Sequence, residues 1–161
     1  MQARVPGGVP GYVGWRVVGR TENSVAEALS QAHGALLADL RELKQAVRPS
    51  SEEGLRELRT RLGAAHAHIT EHFRFEEQNG YMDAVRKREP RLERTIQQFV
   101  EEHGQLRRSL DALIGEATAA TSLGDTLREE IREWIERVRQ HEIRENDLVQ
   151  DAFNLDIGGE D

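Results

Sequence analysis

The chain has 161 residues, with 22 Lys and Arg against 29 Asp and Glu, six His and no Cys, for a formal charge of −7. That length suits a single domain, and the acidic balance argues against a nucleic-acid backbone as partner, because phosphate binding needs a basic field. No run approaches ~20 apolar residues, so no membrane-spanning helix is expected; without cysteine, any bound metal must be held by nitrogen and oxygen donors.

Residues 1–23 read as an irregular arm, interrupted by Pro6, Pro10, Gly7, Gly8, Gly11 and Gly14, with Tyr12 and Trp15 as its anchors. The arm lacks the basic-then-apolar order of a secretory leader, so a cytoplasmic protein is expected. From about residue 24 to 153 the apolar pattern has a helical period. Ser24 with Glu27 forms a capping-box signal for a first helix, which must end before Pro49. Ser50 with Glu53 repeats the signal for a second helix running to Gly80, a C-terminal stop. A short helical turn is expected over Tyr81–Arg88. Pro90 suits the first turn of a third helix that fades near Thr118. A loop of small residues follows, and Asp125 is a candidate cap for a fourth helix ending near Phe153. Four long helices with short connections predict an all-α, up-down-up-down four-helix bundle. Residues 154–161 read as an acidic tail, and the bundle is expected to be monomeric.

Each helix has an inward seam whose steps are three or four residues, the spacing that keeps one face toward a bundle axis. The seams run Leu29, His33, Leu36, Leu40 in the first helix and Leu62, Ala65, Ile69, His72, Glu76 in the second. They run Ile96, Phe99, His103, Leu106 in the third and Trp134, Val138, His141, Glu145, Leu148 in the fourth. The polar exceptions are always His or Glu, and they repeat. His33 to His72 is 39 residues and His103 to His141 is 38, and each second His is followed four residues later by Glu. The second half reads as a copy of the first at an offset of 69–70 residues, placing two sets of donors around a pseudo-two-fold axis.

Burying an unpaired carboxylate costs several kcal/mol, and a buried imidazole needs partners for both nitrogens. Two Glu and four His turned toward one another are therefore a large deficit, which a pair of divalent cations removes. His and Glu at i and i+4 lie on one helix face and reach the same cluster. The competing reading is a fully paired polar network without metal. His66 and His68 flank the seam, have no counterparts in the second half, and are expected at the periphery. Depth leaves one mismatch: His72 lies 22 residues after Ser50, so the site closes only if the segment from Pro49 to Gly54 advances before the second helix packs. The basic cluster Arg86, Lys87, Arg88, Arg91 reads as a solvated helix junction.

His33, then His72-x-x-x-Glu76, then His103, then His141-x-x-x-Glu145 resembles the hemerythrin-like family of HHE cation-binding domains, over residues 24–153. The segment from His72 to Tyr81 is similar to that family's second-helix signature. The resemblance implies a non-haem centre of two Fe ions with an oxo or hydroxo bridge. It implies His33 and His72 mainly on one iron, His103 and His141 on the other, and Glu76 and Glu145 bridging. The oxygen carriers of the family have a second His four residues after the first in the third helix, where this chain has Arg107. They also have an Asp where this chain has Asn146. The more symmetric donor set shifts expectation from simple oxygen carriage toward redox reaction, sensing or iron handling. Arg107 is expected to pair with a bridging Glu or to reach solvent. Glu142, one residue beyond the seam, is expected to make a rim salt bridge, with a terminal-ligand role as the alternative.

Three functions follow as expectations. The first is a di-iron protein that binds O2, NO or peroxide as sensor or scavenger, in an apolar pocket of Leu36, Ile69, Leu106 and Val138. The second is a di-iron enzyme or iron-handling protein that turns over peroxide or oxidises Fe2+. The third is a structural or interaction bundle in which the metal only staples the helices.

Overall fold

The structure, a computed structural model, describes residues 22–48, 54–78 and 80–153. The expected anchors Tyr12 and Trp15, the Ser50–Glu53 capping signal and the acidic tail lie outside the described residues. Among those described, every regular element is helical: α1 (Glu22–Ala46), α2 (Leu55–Gln78), the short α3 (Tyr81–Arg88), a single 3-10 turn (Pro90–Leu92), α4 (Glu93–Ala119) and α5 (Asp125–Phe153).

Two helix starts differ from the sequence reading. α1 begins at Glu22, so Ser24 stands inside its first turn and is not the N-cap. Serine is accommodated at both places, so its capping signal fixes a start only to within a turn. α2 begins at Leu55, and Gly54 stays outside the helix while its carbonyl accepts the N–H of Leu58 at 3.1 Å. Glycine is costly in a helix interior but tolerable at the cap. This later start reduces the depth mismatch and gives His72 and His141 matching depths in α2 and α5.

α1 packs on α2 and α5, and α4 packs on the same two helices, which gives the square order α1–α2–α4–α5. α3 packs against α1, α2 and α5 and covers one end. All the seam residues named from the sequence are buried. Their apolar members form two clusters. One holds Leu36, Leu40, Leu62, Ile69, Leu106, Leu110 and Val138; the other, at the α3 end, holds Leu29, Tyr81, Met82, Ile96, Phe99 and Leu148. The seam His and Glu residues fall between these clusters along α1, α4 and α5, and on α2 between the first cluster and α3, so the bundle carries a polar layer closed off by apolar packing on both sides.

Arginines close the far end of the bundle. Arg59 Nε donates to the Ala117 carbonyl at 2.7 Å and its Nη2 to that of Ala120 at 3.0 Å. Arg128 Nη1 donates to the Arg48 carbonyl at 2.6 Å, and Arg132 Nη2 to that of Val47 at 3.3 Å. These bonds satisfy carbonyls left without partners where α4 and α1 end, fixing the helices that carry His103 and His33. No helix among the described residues is long and apolar enough to cross a membrane.

Candidate metal centre

The polar layer brings all six sequence-predicted donors together. His33, His72, Glu76 and Glu142 form one buried group and His103, His141 and Glu145 another, and within each the candidate donor atoms lie within 4.8 Å of one another. In the first group, Glu76 Oε1 stands 2.7 Å from His72 Nε2 and Glu76 Oε2 3.6 Å from His33 Nε2. In the second, Glu145 Oε1 is 3.1 Å from His141 Nε2 and Oε2 is 3.5 Å from His103 Nε2. Glu145 Oε1 is also 3.6 Å from His33 Nε2, so this carboxylate stands between the groups.

Glu142 overturns the expected rim salt bridge. It is buried, with Oε2 3.0 Å from His33 Nε2 and Oε1 3.3 Å from His72 Nε2. A signal for this was present in the sequence. Ile135, Glu142 and Val149 recur every seven residues beside the seam, and all three are buried, so the inward face of α5 is wider than one stripe.

Other functional contacts were not legible in the seam. On the second half, His103 Nδ1 meets Glu77 Oε1 at 2.8 Å, and His141 Nδ1 meets Glu102 Oε2 at 2.7 Å. Glu102 is itself held by both terminal nitrogens of Arg144, each at 2.7 Å. Carboxylates behind two imidazoles favour a proton on Nδ1 and leave the inward Nε2 as a lone-pair donor, the arrangement metal-binding His residues use. The Tyr81 hydroxyl donates to Glu145 Oε2. Phe73 stacks on His103 with ring centres 3.8 Å apart and planes 7° from parallel.

The residues expected outside the centre are outside it. His66 Nε2 pairs with Asp111 at 2.8 Å, and His68 Nδ1 with Asp39 at 2.5 Å, both partners being exposed. Arg107 is half-buried, and its guanidinium carbon lies 6.0 Å from the Phe73 ring centre, over the ring stacked on His103.

Burial and neighbours divide the titratable groups. Burial pushes Glu76 well above the usual carboxylate range, with the adjoining Glu145 and Glu142 charges adding to it. Burial acts on Glu145 in the same sense, but the imidazoles of His103 and His141 outweigh it and hold this carboxyl well below that range. His33 is lowered by burial, whereas in His103 the contacts with Glu145 and Glu77 overcome burial and raise it. The two carboxyls are thus pushed apart, Glu76 upward and Glu145 downward.

Metal cations fit these donors. The Nε2 atoms of all four His, both oxygens of Glu76 and Glu142, and Oε1 of Glu145 are buried without a hydrogen-bond partner. Polar atoms deprived of water in this number call for a partner other than each other. All point into one layer, and no thiolate is present. Among family models, the hemerythrin HHE cation-binding domain matches residues 24–153. No curated protein and no solved structure matches the chain.

Proposed function

The chain belongs to the hemerythrin HHE cation-binding domain family, and from that premise we propose that it is a non-haem di-iron protein that binds O2, NO or peroxide as a sensor or scavenger. The observation that carries this reading is the pair of buried donor groups adjoining at Glu145, with inward nitrogen and oxygen atoms left without partners. Four imidazoles and three carboxylates suit iron, whereas a thiolate set would point to zinc or an iron–sulfur cluster. Iron held there would supply the redox-active centre at which a small oxidant is taken up.

The protein's own part is to position donors and exclude water. His33, His72, Glu76 and Glu142 would hold one ion, His103 and His141 the other, and Glu145 stands where it can serve both. Glu77 and Glu102 fix the rings of His103 and His141. Leu36, Ile69, Leu106 and Val138, the expected apolar pocket, are all buried in the cluster on one side of the layer. That packing keeps the donors dry. Burial raises the Glu76 carboxyl, so an arriving cation competes there with a proton.

Metal analysis of purified protein, with anomalous scattering at the iron edge and absorption spectra in azide, tests the reading. Two irons per chain in this layer are expected, with azide-dependent charge-transfer bands in the oxidised protein and, separately, oxygen-dependent bands that bleach reversibly on removing oxygen. Steady peroxide consumption would replace binding by turnover. A colourless protein holding only zinc would overturn the reading in favour of a metal-stapled bundle.

A further inference from the structure

The two halves of the centre differ at the position that follows the second His of each half. The offset of 69 residues that takes His72 to His141 and Glu76 to Glu145 also takes Phe73 to Glu142. Both residues follow the second His of their half, and both are buried in the interior of the bundle. Each side chain serves the opposite half. Glu142, on α5, meets His33 and His72 at 3.0 and 3.3 Å. Phe73, on α2, lies flat on His103 and presents its ring to His141 with centres 5.8 Å apart and planes at 70°. The duplication therefore places a carboxylate beside one pair of imidazoles and a hydrocarbon ring beside the other.

Resting on the two-cation reading above, we propose that the centre is built as one retained and one exchangeable cation site. The group of His33, His72, Glu76 and Glu142 is the retained site, and the group of His103, His141 and Glu145 is the exchangeable one, where the exogenous small ligand enters. Donor count and charge set this order. The first group offers two imidazoles and two carboxylates of its own, enough to neutralise a divalent cation. The second offers two imidazoles and a single carboxylate, and that carboxylate is shared with His33 and with the Tyr81 hydroxyl. Phe73 brings no donor, so the second ion has the less complete protein shell and a position left for an outside ligand. Solvent approaches from the same side. A cleft of about 520 Å3 between α4 and α5 is lined by His141 and by Glu102 and Arg144, the groups behind that imidazole. Ile69 and Leu36 of the apolar cluster lie on the α2 and α1 side instead.

Stepwise titration of metal-free full-length protein with Co2+ tests this, followed by visible absorption and by metal content after gel filtration. Wild type is expected to bind two ions in two resolved steps, and azide is expected to change the spectrum only after the second. His103→Ala should leave the first step intact and abolish the second together with the azide response. Glu142→Gln, which keeps shape and removes charge, should weaken the first step at least about 10-fold and bring the two steps together. Circular dichroism confirms that each variant is folded, and Phe73→Leu should leave the order of loading unchanged. The proposal is overturned if the two wild-type steps coincide, if His103→Ala removes the first step, or if Glu142→Gln alters only the second. None of those results touches the two-cation reading, which fails separately if wild type binds fewer than two ions.

Discussion

Tyr81 Oη donates a hydrogen bond to Oε2 of Glu145, joining the short helix α3 to the α5 carboxylate that stands between the two donor groups. Tyr81 is fully buried at the end of the bundle that α3 covers, so this bond is made where water cannot replace it. Removing the hydroxyl leaves one oxygen of Glu145 without its partner while preserving the ring in the apolar cluster. Tyr81→Phe is therefore expected to keep the fold, with a stability loss of about 1 kcal/mol, and to weaken cation binding about 10-fold. Calorimetric titration and a denaturant melt separate the two effects.

Tyr81 is delivered to this place by Gly80. A Cβ at Gly80 would lie 2.8 Å from Glu76 Cα and 2.8 Å from the Phe75 carbonyl oxygen, both backbone atoms of α2. No side-chain rotation relieves that overlap, so the α2–α3 connection must shift. Gly80→Ala should cost about 1–3 kcal/mol in a urea melt and weaken cation binding as well, because Glu76 and Tyr81 flank the displaced segment.

The raised carboxyl of Glu76 gives a pH dependence with a definite sign. Its folded value is raised, so the metal-free fold binds a proton that the unfolded chain has released. That contribution is fully present below the ordinary carboxylate range and is lost as pH rises through the raised value. The metal-free protein should accordingly become less stable as pH rises through that value, and Glu76→Gln should reduce this loss. Cation affinity should move the other way and strengthen with pH, since the proton must leave. Titrations in buffers of different ionisation enthalpy count the protons released, and a count of zero would contradict this assignment.

Ligand substitutions should separate the centre from the surface. Glu145→Ala removes the carboxylate lying between the groups and is expected to lose one or both ions. His66→Ala and His68→Ala break only partly exposed pairs with Asp111 and Asp39 and should leave metal stoichiometry unchanged, with stability within about 1 kcal/mol of wild type. Metal content per chain decides between these outcomes.

What the sequence determined by itself was which residues share an inward face. A helical period of three or four residues fixes that from the chain alone, so His33, His72, Glu76, His103, His141 and Glu145 could be placed in one layer, and His66 and His68 outside it. Tertiary structure decided the rest. Whether a residue one step off the seam points inward depends on how far its helix is rotated and how closely its neighbours approach. That rotation buries Glu142 beside the α1 and α2 imidazoles, and lays Phe73 on His103. The start of α2 at Leu55, which levels His72 with the other donors, and the bond from Tyr81 to Glu145 likewise depend on how separate segments meet in space. Periodicity specifies a face, but only packing specifies what that face meets.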